Sequence, residues 1–133
     1  MFLKDRYTFP ALFLDEEEQV SVVFPDLPGC VTIGRDFDHA LKMAEEALGG
    51  HLFCMDQAGE TIPEPTPVRG LEPEPGEYVV MVSIWVPLVV ERIKPVYVRK
   101  NLTIPRWLNQ RAEEANINFS NVLQDALREK LGV

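Results

Sequence analysis

The sequence predicts an α+β protein in two parts, a β-β-β-α-β layer over residues 1–93 and a strand, helix, helix unit over residues 94–133. Three observations carry that expectation. Apolar runs with strand character precede one long stretch with helical spacing. The charge divides unevenly, with 5 basic and 16 acidic residues up to position 90 against 8 basic and 5 acidic after it. The last stretch, about 39 residues, is too short to hold a core of its own.

"RYTFPALFL" and "QVSVVFPD" read as two strands rich in Val, Phe, Tyr and Leu, and the polar Asp15 to Glu18 join them as a solvated hairpin turn. "PDLPGC" forces a turn through Pro25, Pro28 and Gly29, and "CVTIG" is a short strand ending at Gly34. Asp36 can then cap a helix with Phe37, Ala40, Leu41, Ala44, Ala47 and Leu48 on its apolar face. That helix should pass Gly49 and Gly50, reach about Ala58 and stop at Gly59. "ETIPEPTPVRGLEPEPGE" is too dense in proline to be helix or central strand and is expected to be an extended surface segment. "YVVMVSIWV" reads as a buried strand ended by Pro87.

In the tail, "VYVRKNLTIP" alternates, with Leu102 and Ile104 facing one way and Arg99, Asn101 and Thr103 the other. Pro105 opens a helix with Leu108, Ala112 and Ala115 on one face, Asn116 can take a left-handed stop, and Ser120 is the expected cap of a second helix with Leu123, Ala126, Leu127 and Leu131 inward. A lone strand and two half-apolar helices are incomplete in one chain. A two-fold dimer completes them by pairing the strands and packing four helices, and the paired strands make a ribbon of a width that fits the DNA major groove.

Composition excludes some functions and narrows others. No apolar run reaches the roughly 18 residues of a membrane span, and "MFLKDRYTFPALFLDEEEQ" has no apolar core after a basic start, so a cytoplasmic protein is expected. Cys30 and Cys54 are read as small buried hydrophobes, and with His39 and His51 they make no zinc-type spacing. No cofactor and no metal is expected. A nuclease would need clustered carboxylates, and Asp15 to Glu18, Asp26, Asp36 and Asp38 fall in turns or at a helix start, so an enzyme is not expected. An acidic body suits a basic partner, and a basic tail suits phosphates.

Residues 96–133, with "VRKNLTIP" and "NINFSNVLQDALREKL", resemble a ribbon-helix-helix domain of the Arc/MetJ type. The resemblance implies base contacts from Arg99, Asn101 and Thr103 and phosphate contacts from Ser120 and Asn121 at the start of the second helix. The side chains agree with it, since Arg99 can fork onto guanine, Asn101 can pair with adenine, and Thr103 can meet a base edge or a thymine methyl. Lys100 lies out of phase, where that family usually carries an apolar residue, and is expected at phosphate.

The body has its own resemblance. "FPDLPGCVTIGRDFDHALKMAEEAL" followed by "AGETIPEPT" is similar to the HicB antitoxin family, whose N-terminal domain has a partial RNase H-like fold. There are two departures. Glu18, Gln19 and Val20 stand where relatives often carry Gly-Gly-Tyr, and Asp36 with His39 replaces a Thr-x-x-Glu capping box, which keeps the cap and removes its reciprocal partner.

The resemblance implies an antitoxin that binds a small basic RNA-cleaving toxin of the HicA type, hides its active site and represses the shared promoter as a homodimer bound to operator DNA. Asp26, Asp36 and Asp38 are the residues expected on the toxin-binding surface. The alternative is a stand-alone ribbon-helix-helix repressor whose body senses a small ligand, which requires an apolar pocket and no toxin partner. The sequence leaves open whether ribbon dimers pair again into tetramers.

Overall fold

The computed structural model describes residues 2–133, which divide into two compact units, one running to Val96 and the other Tyr97–Val133. The first, the body, holds strands β1 (Arg6–Asp15), β2 (Val20–Val23), β3 (Val31–Gly34) and β4 (Glu77–Trp85), with helices α1 (Phe37–Gln57) and α2 (Val86–Ile93). The strands form one antiparallel sheet in the order β3-β2-β1-β4.

The period of two along β1 decides the core. Tyr7, Phe9, Ala11 and Phe13 point to one face, and Val20 and Val22 of β2 and Val82 and Ile84 of β4 join them there. Ala40, Ala44, Leu48 and Leu52 of α1 pack onto this face at three to four residue spacing. Pro10 sits inside β1, but β2 pairs only with Leu12 to Asp15, so on that side β1 is an edge at Pro10, the place where a sheet tolerates a missing N–H.

The expected hairpin forms. The Glu16 N–H donates to the Gln19 carbonyl at 2.9 Å, and the Glu16 carboxylate accepts from Gln19 Nε2 at 2.8 Å and from Ser21 Oγ at 3.1 Å. One of the three glutamates of the turn therefore closes it. Gly34 is the tightest point of the body, since a Cβ there would fall inside the backbone of Ala40. Helix α1 ends as expected, with Gly59 at φ +71° after an Ala58 cap.

Five expectations about the body change, the first being that β4 is not a buried strand, since only its Val82 and Ile84 are buried. Phe37 and Leu41 are exposed rather than buried, although Phe37 stacks on Phe13 and meets Tyr78 edge-on. Cys54 is exposed, whereas Cys30 is buried as expected. Pro87 does end β4, but it also starts α2, which the sequence reading lacked; the ring fits the first turn of a helix, where the N–H has no partner to lose. α2 is held by Val89, whose side chain lies 3.1 Å from where a Cβ on Gly49 would stand, so the glycine that weakens α1 admits its neighbour. Finally, His39 supplies a reciprocal bond in place of the absent glutamate, to the residue before the cap rather than to the cap itself. Its N–H donates to Asp36 Oδ1 at 2.8 Å while its Nδ1 accepts the Arg35 N–H at 3.0 Å.

The second unit, the tail, contains α3 (Arg106–Glu114) and α4 (Phe119–Leu131). Pro105 precedes α3 and Asn116, at φ +55°, ends it, both as expected. Asn118, not Ser120, caps α4: its side chain accepts the Asn121 N–H at 3.1 Å. Asn carries its acceptor on a short side chain and outcompetes a serine already inside the first turn. The expected strand over "VRKNLTIP" is not formed within one chain, because among the described residues no segment lies beside it to supply the ladder.

Candidate functional site

Two surfaces are candidates, one on each unit. On the body, the exposed carboxylates of Glu45 and Glu46 on α1 and of Glu60, Glu64, Glu72 and Glu74 in the proline-rich segment have no ion-pair partner among the described residues. The proline-rich segment is fixed in place by Asp26. Its carboxylate accepts the Thr66 N–H at 2.9 Å and also accepts from the Thr66 hydroxyl, which ties residue 66 to the β2–β3 loop. Ile62 seats the start of the segment on the core.

Of the three aspartates expected on a binding surface, Asp26 and Asp36 hold backbone in place and Asp38 is exposed in the first turn of α1. The structure does not gather them into one site, and among the described residues no three acidic, His or Cys side chains converge as a metal site would need. The Asp26 to Thr66 tie joins positions 40 residues apart, so no local pattern could have announced it. Burial raises the Cys30 thiol to about 11, and its Sγ donates to the Ala47 carbonyl, so it behaves as a core group. One depression on the body, of about 640 Å³, is open and is lined by Lys4, Arg6, Asp56 and Glu64 among others.

On the tail, Arg99, Lys100, Asn101 and Thr103 are all exposed on the extended segment, as are Ser120 and Asn121 at the start of α4. The Asn121 N–H is already held by Asn118, so the free amides of that helix start belong to Phe119 and Ser120. No residue of α3 or α4 is buried. Trp107, Leu127 and Leu131 are exposed by 66%, 50% and 72%, and Leu102 by 65%, so the apolar faces that should form a core have nothing against them in one chain.

The chain is thus an acidic α+β body joined to a small basic helical unit without a core of its own. The family described as the HicB-like antitoxin of bacterial toxin-antitoxin systems matches residues 9–126, and the chain belongs to that family. Solved structures agree. A chain of a toxin–antitoxin complex from Streptococcus pneumoniae is 27% identical, with 94% of this chain and 99% of that one covered at a TM-score of 0.60. The antitoxin HicB of Burkholderia pseudomallei is 25% identical, with 94% and 98% covered at a TM-score of 0.53. The N-terminal domain of that HicB, 28% identical, covers 59% of this chain and 98% of its own at a TM-score of 0.50. No curated protein matches the chain. Among the described residues no helix is long and apolar enough to cross a membrane.

Proposed function

We propose that this chain neutralises a small basic RNA-cleaving toxin of the HicA type by covering its active site, and represses its own operon through the tail. Residues 1–93, with a partial RNase H-like fold, carry the toxin and residues 94–133 carry DNA as a ribbon-helix-helix homodimer. The observation that carries the reading is the division of charge between two units: an acidic body whose exposed Glu45, Glu46, Glu60, Glu64, Glu72 and Glu74 have no ion-pair partner among the described residues, and a basic tail whose apolar faces are exposed in one chain.

The body's charge steers a cationic toxin toward it and keeps the body off DNA, while the shape fixed by the Asp26 to Thr66 tie supplies specificity. Asp38 meets the toxin directly, and Asp26 and Asp36 act by holding the loop and the helix start that face it. In the tail dimer, Arg99, Asn101 and Thr103 of both copies read base edges from the ribbon, and Lys100, Ser120 and the first turn around Asn121 contact phosphate. Inhibition is occlusion and involves no catalysis or cofactor. All of this takes place in the cytoplasm.

The test uses the full chain and purified toxin. Leu102→Asp places a charge in the shared core of the tail, so it should abolish operator binding and leave toxin inhibition intact. Glu60→Lys with Glu64→Lys should slow toxin association most at low salt and leave operator binding intact. Chelator should leave inhibition unchanged. If Leu102→Asp releases the toxin, or the lysine pair leaves toxin association unaltered at every salt concentration, the division of labour is wrong.

A further inference from the structure

Residues 60–76 run from the end of α1 to the start of β4 and contain a short 3-10 turn, Val68–Gly70, and no strand. Pro63, Pro65, Pro67, Pro73 and Pro75 keep the segment extended and remove backbone donors from it. Its first half passes beside β1. β2 pairs only with Leu12 to Asp15, so β1 from Arg6 to Ala11 has β4 on one side and, among the described residues, no strand on the other. Thr61 to Pro65 face Arg6, Tyr7 and Thr8 across the open depression of about 640 Å³, and among the described residues no backbone hydrogen bond joins the two segments. The proline-rich segment screens a strand edge without pairing with it.

Its other flank is hollow as well. A second open depression, of about 620 Å³, has Thr61 and Pro63 on one wall and Leu27, Pro28, His51 and Cys54 on the other. Between these two hollows the segment is held at Ile62, which packs against the core, and at Thr66, which gives both its N–H and its hydroxyl to the part-buried Asp26 carboxylate. The Asp26 side of that pair is firm. Its turn is closed by the Leu27 N–H on the Phe24 carbonyl at 3.1 Å and by the Cys30 N–H on the Leu27 carbonyl at 3.0 Å, and Phe24 and Leu27 are buried. β4, which follows the segment, is held independently by its full length against β1. A segment with firm ends, fastened midway by one side-chain pair, can open without unfolding the sheet.

We propose that residues 60–76 are a strap with the Asp26 and Thr66 pair as its catch, and that release of the catch lifts the strap as a local unit and shortens the life of the toxin complex. The second half of this rests on the proposed toxin function; the first does not. The strap carries Glu60, Glu64, Glu72 and Glu74, so its opening takes those charges from fixed positions and uncovers the β1 edge at the same time. The catch thereby couples the shape of the β2–β3 loop to the charge that faces a cationic partner.

Native-state hydrogen exchange on the full chain without toxin tests the strap. The Thr66 amide should exchange with almost no dependence on low denaturant, whereas the amides of the β1–β4 ladder should show the full slope of global unfolding. Thr66→Val removes the hydroxyl and keeps the amide. It should speed exchange at residue 66, corrected for the intrinsic rate of the new side chain, and trypsin cleavage after Arg69 by about tenfold, with unchanged circular dichroism of the body. Thr66→Ser, which keeps the hydroxyl, should leave both rates as they are in the unaltered chain. With purified toxin, Thr66→Val should shorten the half-life of the complex by a similar factor and Thr66→Ser should not. A Thr66 amide with the same denaturant slope as the ladder, or a Thr66→Val chain as resistant after Arg69 as the unaltered one, overturns the strap. A Thr66→Val chain whose strap opens while its toxin complex lives as long overturns the regulation. An unaltered chain that binds no toxin overturns the proposed function and the second half with it, while exchange and cleavage on the free chain still decide the first.

Discussion

In the body, Phe9, Phe13, Val22, Leu48, Leu52 and Val82 are at most 1% exposed, while in the tail the corresponding candidates Leu102, Trp107, Leu127 and Leu131 stand at 50% or more. Both regions have amphipathic patterns of similar clarity, so pattern does not distinguish them. Size does: the body has a sheet wide enough to cover a helix of 21 residues, and the tail has two helices of 9 and 13 residues with no third element to close over them. The body's fold is complete in one chain, whereas the proposed tail dimer would be completed by mass action with another copy. A protein divided in this way can hold one partner on a surface that persists at any concentration and bind another only after it has assembled.

The largest effect that separates the two regions should come from Gly34→Ala. The added Cβ would occupy the backbone of Ala40, so α1 must leave the sheet, at a cost of about 3 kcal/mol or more. Toxin binding should fail with the body's thermal transition, while operator binding by the tail, a separate compact unit, should survive. Loss of both together would show that the tail's assembly depends on a folded body, and the two-region comparison would then be wrong.

Next in size are the proposed base contacts. Arg99→Ala and Asn101→Ala should each lose roughly 1 to 3 kcal/mol per contact and relax base preference at symmetric positions of two half-sites. Isotherms on operator and scrambled DNA measure it. An unchanged ratio of the two affinities would remove the extended segment as the reading element.

The helix caps give a matched pair of smaller effects. Asp36→Ala and Asn118→Ala each remove a side-chain acceptor from a helix start, worth about 1 kcal/mol. In the body the loss should lower the melting midpoint by the same amount at every protein concentration. In the tail it should appear as a concentration-dependent shift, because in the proposed dimer unfolding would be coupled to dissociation. A shift for Asn118→Ala that is independent of concentration would mean the tail folds as a monomer.

How much of this the sequence disclosed follows from how local each determinant is. The β1–β2 hairpin, the stop at Gly59 and the left-handed Asn116 rest on turn chemistry within a few residues and were legible. α2 was not, because Pro87 suits both the end of a strand and the start of a helix, and only the packing of Val89 on Gly49 decides between them. The His39 ring acting in place of a glutamate lies outside the usual capping-box pattern, and the Asp26 to Thr66 tie lies outside any local pattern. The tail strand is a different case: its alternation is plain, yet its ladder would have to come from another chain. At the candidate surfaces the residues of the tail could be nominated by the period of two, whereas on the body two of the three aspartates chosen by position, Asp26 and Asp36, hold backbone and Asp38 is exposed.

The smallest effect, Lys100→Ala, sharpens the comparison inside the tail itself. By the period of two Lys100 shares a face with Leu102 and Ile104, the face that the dimer would bury, and yet it carries a charge that a buried site would not tolerate unpaired. If the ribbon ends before Lys100, its ammonium lies at the rim and reaches phosphate along a flexible stem. The substitution should then weaken operator and scrambled DNA by the same factor and reduce the slope of log affinity against log salt by about 1, with no change in base preference. If instead Lys100 lies within the paired strands, alanine relieves a buried charge and the tail dimer becomes tighter, seen as a lower dissociation constant without DNA. The two outcomes have opposite signs on assembly, so one sedimentation series on the variant fixes where the ribbon ends.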